Sequence, residues 1–203
     1  GTQIKEFPEC PTLFVCDMSS DIFSRKIDVS KFDLIYAGAQ KNMGPAGTTL
    51  VIVKNKILGK TGRTIPTMLD YNTHISKASM FNTPPVFSIY VSMLTLQWLK
   101  NLGGIEKIEK LNQRKAYLLY NEIDRNSLFT GTANKEDRSN MNVCFLLTDI
   151  SKEKTFNSMW NKAGISGIKG HRSVGGYRAS IYNAMPIESI QLLVDEMQKL
   201  EKL

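Results

Sequence analysis

Lys41 stands in the stretch YAGAQKNMGPAG, with Gly38, Gly44, Pro45 and Gly47 within six residues of it. A lysine placed for solubility needs no such surroundings. The turn is either a tight connection with an incidental charge or a loop that presents an amine. Asp17, 24 residues earlier, ends the apolar run TLFVCD. Strand C-termini are where ligands gather in open α/β sheets. An amine and a carboxylate are together what pyridoxal phosphate requires. The lysine forms a Schiff base, and the carboxylate keeps the pyridine nitrogen protonated so that the ring can act as an electron sink. Strand-end acids are common, so this pair suggests the chemistry without fixing it. A second constellation, KGHRSVGGYR, sets His171, Arg172 and Arg178 around a double glycine. An arginine fork donates paired hydrogen bonds to a carboxylate or phosphate. Alone, that block reads sooner as an exposed basic loop.

The elements that must hold these residues follow from apolar patterning. TLFVCD (12–17), DLIYA (33–37) and TTLVIVK (48–54) are short, apolar and β-rich, and read as strands that bracket the lysine turn. Residues 55–85 read as loop, punctuated by glycine and proline. Residues 86–101 read as a helix, and Gly103-Gly104 stops it. A second helix is expected over about 105–125, with Ile108, Leu111, Lys115 and Leu118 at helical intervals. NVCFLL (142–147) and YRASIYN (177–183) read as strands, and TFNSMWNKAG (155–164) as a helix closed by glycine. Residues 186–203 form an amphipathic helix with proline at its first turn. Its stripe of Ile187, Ile190, Leu193, Val194, Met197 and Leu200 needs a sheet to cover. Interspersed strands and helices give α/β class. The double glycine divides the chain into residues 1–104 and 105–203.

The 203 residues are 42% hydrophobic and 22% charged, with a net charge of +7. A buried core is therefore expected. The basic residues are scattered rather than interleaved with aromatics, which argues against nucleic acid and for a small anionic substrate. No apolar stretch is long enough to span a bilayer. The opening GTQIKEFPECP has no basic-then-apolar pattern of a signal peptide, so the reading is cytoplasmic. Cys10, Cys16 and Cys144 form no CxxC pair and are expected to be reduced and mostly buried. With two histidines and no cysteine partner nearby, no metal site is expected. Arg138 reads as structural or surface, and His74 as a polar loop residue with no evident partner.

Four blocks, VCDMSSDI, YAGAQKNMGPAG, MFNTPP and GHRSVGGYRASIYNAMP, occur in an order and at separations that resemble the phosphoserine aminotransferases, a family of class V pyridoxal-phosphate enzymes. The likeness covers essentially the whole chain but only the second half of such an enzyme: the end of a large, mostly parallel α/β domain of fold type I, plus the small C-terminal domain. The resemblance implies that Lys41 carries pyridoxal 5'-phosphate covalently and shuttles the substrate's α-proton, and that Asp17 pairs with the pyridine nitrogen. Gln40 would help bind the cofactor phosphate, and Asn82 and Thr83 would reach it from the neighbouring subunit of a homodimer. His171 and Arg172 would bind the substrate phosphate, and Arg178 the α-carboxylate. The implied reaction is reversible transamination between glutamate and 3-phosphohydroxypyruvate in serine biosynthesis, with a role in pyridoxine biosynthesis left open. The alternatives are another class V acceptor and a folded piece inactive by itself. The glycines around Lys41 are expected to let the backbone approach a flat ring.

Overall fold

In the computed structural model, residues 1–171 and 175–203 are described. The chain forms two compact units, residues 7–102 and residues 103–203 joined by 1–6.

In the first unit, β1 (Val15–Asp17) pairs parallel with β2 (Leu34–Gly38), and β2 pairs antiparallel with β3 (Thr49–Val53). β1 covers only half of the apolar run predicted for it. Phe14 leaves the strand because its N–H, instead of joining the ladder, donates to Asp33 Oδ2 at 3.0 Å. That bond and the Lys56 ammonium hold the Asp33 carboxyl down to about 2. Met18, Ile22, Phe32, Ile35 and Ala37 form the core, and the rings of Phe7, Phe14 and Phe32 pack beside it. Burying a side chain of this size contributes about 1.5–3 kcal/mol.

The predicted loop at 55–85 holds a short helix, α1 (Tyr71–Ser76), whose Asp70 cap accepts from Asn72 N. His74 does have a partner: its Nε2 lies 2.9 Å from Met68 O, and its ring meets Phe81 edge-on. These contacts tie both ends of the 68–81 segment together. α2 (Val86–Leu102) follows, with only Ser92 and Leu99 buried. Phe87, Tyr90, Met93 and Leu94 stand exposed along it.

In the second unit, α3 (Gly104–Arg125) precedes the antiparallel sheet β4 (Phe129–Gly131), β5 (Asn142–Leu147) and β6 (Tyr177–Ser180). β4 was not anticipated, because three residues carry no readable alternation. α4 (Glu153–Lys162) and α5 (Ile187–Glu201) complete the unit, and Gly164 closes α4 in the left-handed conformation (φ 78°). The α5 stripe is buried as expected from Ile190 to Leu200, while Ile187 is only half-buried. It packs on α3 and α4 as well as on residues of the sheet.

β6 ends four residues into its predicted span. The chain at 181–185 turns its carbonyls to the buried Lys115 ammonium, which donates to Ile181 O (3.0 Å), Tyr182 O (2.6 Å) and Met185 O (3.1 Å). Of the two readings of Arg138, the structural one holds: it pairs with both oxygens of Asp124 and lies over the Tyr120 ring. The cysteines correct the reading, for Cys10 is exposed and Cys16 and Cys144 are only half-buried. Among the described residues, no helix is long and apolar enough to cross a membrane.

Candidate active site

Parallel pairing of β1 and β2 brings their C-terminal ends to one edge of the sheet. Asp17 closes β1, and Lys41 stands three residues beyond β2. The two turns that follow these strands are joined by side-chain bonds. Gly38 N donates to Ser19 Oγ at 3.0 Å. Lys41 Nζ donates to Ser20 Oγ at 2.6 Å. The buried Asn42 amide donates to Ile22 O at 3.2 Å and Ser20 O at 3.5 Å. The acid-bearing and lysine-bearing turns are thus one hydrogen-bonded piece.

Asp17 accepts from Ser19 N at 2.8 Å. Hydrogen bonding from Ser19 lowers its pKa, opposed by desolvation and aided by the Lys41 charge and Tyr36. Tyr36, opposite Asp17 in the register, has its hydroxyl pushed up by that same carboxylate. The site therefore holds an exposed carboxylate that stays ionised and a half-buried amine close enough to act on it.

Two of the glycines also answer a packing demand. A Cβ on Gly44 (φ 157°) would meet Ser92 Oγ at 2.6 Å and Ser92 Cα at 3.0 Å. One on Gly47 would meet Ser88 Oγ at 2.9 Å. Ser88 Oγ in turn donates to Ala46 O at 2.9 Å. These two glycines let α2 press against the lysine turn. A Cβ on Gly38 would collide with the side-chain amide of Gln40.

Of the residues singled out in the sequence, Asp17, Gln40 and Lys41 converge in these two turns. Asn82 and Thr83 are exposed before α2, and the Asn82 amide donates to Thr83 O. His171 and Arg178 belong to the second unit. Arg178 is exposed on β6 opposite Cys144, and its N–H donates to Ile168 O at 2.7 Å. The loop ends beside His171 are closed by Gly170 N to Gly176 O and Gly175 N to His171 O, both 2.8 Å. Arg172 lies outside the described residues. Sequence reasoning missed Ser19, Ser20 and Asn42. The SSD after Asp17 was the available signal, since serine and aspartate favour such turns.

The family model described as Aminotransferase class-V matches residues 3–193. The chain belongs to this family. It is 71% identical over 201 residues to a phosphoserine aminotransferase of Flavobacterium psychrophilum, covering 99% of this chain and 56% of that protein. One from Azobacteroides pseudotrichonymphae is 58% identical over 205 residues, covering all of this chain and 57% of that protein. Among solved structures, the phosphoserine aminotransferase of Bacillus circulans subsp. alkalophilus superposes with a TM-score of 0.95 at 44% identity, covering all of this chain and 56% of that one. The pyridoxal-phosphate-bound enzyme of Trichomonas vaginalis reaches 0.91 at 35% identity, over 98% of this chain and 57% of that one. The chain spans about 56% of the length of the relatives it matches. This member of the class-V family has a mixed α/β fold, with its candidate lysine and acid in adjoining turns.

Proposed function

We propose that this chain carries the cofactor lysine of a phosphoserine aminotransferase. Such an enzyme exchanges an amino group between glutamate and 3-phosphohydroxypyruvate, giving O-phosphoserine and 2-oxoglutarate. The observation that carries the reading is the stitching of Asp17 and Lys41 into one rigid edge. The residues present suit pyridoxal 5'-phosphate. Asp17 is held ionised, as the partner of a protonated ring nitrogen must be, and the Lys41 amine, whose charge acts on it, donates to the Ser20 hydroxyl.

When bound, that cofactor supplies an electron sink for the carbanion left by α-proton loss. Lys41 would hold it covalently and, once released, move the substrate's α-proton. Ser20 Oγ, as acceptor, fixes the direction of the Lys41 Nζ–H bonds and limits the amine's rotation. Asp17 would orient the ring, and Gln40, Asn82 and Thr83 would bind the phosphate, the last two across a homodimer. His171 and Arg172 would select a phosphorylated acceptor, and Arg178 the α-carboxylate common to both substrates. The setting is cytoplasmic serine synthesis.

With about 56% of its relatives' length present, we expect the 203 residues alone to be a folded piece without useful activity. The deciding experiment assays glutamate-dependent O-phosphoserine formation in a protein of relatives' length carrying this segment. Activity that Lys41→Ala abolishes supports the reading, whereas undiminished turnover in Lys41→Ala ends it.

A further inference from the structure

The second unit gathers five cationic side chains around one hollow. A hollow of about 670 Å³ lies along α3, lined by Lys5, Lys110, Arg114, Tyr117, Lys135 and Arg138 among others, with no acidic residue in its lining. Asp124 engages two of the five cations, Lys135 at 3.4 Å and Arg138 at 2.7 Å. Lys5 donates to the Gln3 side chain. Lys110 and Arg114 lie one helical turn apart on α3, where like charges repel and weaken a helix.

Arg138 is held in place in the lining, because it is clamped by Asp124 and stacked 4.5 Å from the Tyr120 ring. Tyr117, three residues beyond Arg114, is 69% exposed. Tyr117 and Arg114 also line a second hollow of about 450 Å³, so this ring borders both. A ring that exposed, flanked by cations, offers a face for stacking beside an anion.

We propose that this groove binds a small ligand bearing two or more phosphate groups, with Lys110 and Arg114 as the anion contacts and Tyr117 as a stacking surface. Its volume falls within the range of small-molecule sites, about 300–1,000 Å³. The phosphates could come as inorganic pyrophosphate or on a nucleotide, so both are probes. The proposal does not rest on the aminotransferase reading.

The test is calorimetric titration of the chain with pyrophosphate and, separately, with ADP, neither with added metal. Lys110→Gln/Arg114→Gln is compared with Lys154→Gln/Lys162→Gln, which removes the same charge from exposed positions on α4. The expected result is pyrophosphate binding weakened at least about tenfold by the α3 pair, as lost charge-assisted bonds require, and unchanged by the α4 pair. Tighter binding of ADP than of pyrophosphate, with the difference erased by Tyr117→Ala, supports the stacking role. Equal affinities overturn that role. Absence of pyrophosphate binding, or equal weakening by both pairs, overturns the site.

Discussion

Lys41 Nζ lies 2.6 Å from Ser20 Oγ, joining the turn after β2 to the turn after β1. Ser20 thereby fixes where the amine points. In a protein of relatives' length, Ser20→Ala is expected to lower kcat about tenfold, the worth of one hydrogen bond to a charged group. KM for glutamate should change little. Steady-state kinetics check this, and an unchanged kcat would remove Ser20 from the account.

Gly44 is expected to tolerate no side chain. Gly44→Ala pushes a Cβ onto the Ser92 backbone, whereas Gly62 (φ 61°) has nothing within 4 Å of its Cβ position. Both alanines carry the cost of a positive φ, but only the first adds a clash inside a packed turn. Gly44→Ala should therefore destabilise by about 1–3 kcal/mol more than Gly62→Ala. Urea unfolding of the two variants measures the difference.

Much of this arrangement was legible, and the omissions have physical causes. Apolar runs with glycine breaks announced β2, β3, α2, α3 and α5, because their periodicity and length exceed the noise of composition. α1 and β4 were illegible: six polar-rich residues and a three-residue strand exist only through their tertiary neighbours. Asp17 and Lys41 could be read as strand-end residues. Nothing local to either turn signals that Asn42 reaches back to Ile22 O, since that bond depends on β1 and β2 lying parallel. The glycines were marked as special for a flat ring, while their packing against a helix was not read. Their partner, α2, begins about 40 residues later.

Lys115 entered the sequence reading as a member of the α3 repeat, and it is buried there at 2% exposure. Burial pushes its ammonium down to about 8 from 10.5. Below pH 8 both folded and unfolded states hold the proton. Between about 8 and 10.5 the unfolded chain binds more, so this residue's contribution to stability rises with pH. Lys115→Met leaves the carbonyls of Ile181, Tyr182 and Met185 without their donor and should cost about 2–4 kcal/mol at neutral pH. Unfolding of both proteins at pH 7 and pH 10 should show the gap widening at the higher pH. A gap that narrows would contradict the direction of the shift.

Val86, Phe87, Tyr90 and Met93 are each more than half exposed on α2. Apolar surface gathered on one element drives association. The purified chain is expected to sediment faster than a 22.8 kDa monomer at micromolar concentration. Phe87→Ser/Met93→Ser should shift it back toward monomer.

The most direct measurement is borohydride reduction of a protein of relatives' length in the presence of pyridoxal phosphate, followed by peptide mass mapping. Reduction fixes the pyridoxyl group on whichever lysine holds it. The account predicts a single labelled peptide carrying the group on Lys41. A label on another lysine, with Lys41 unmodified, would contradict it.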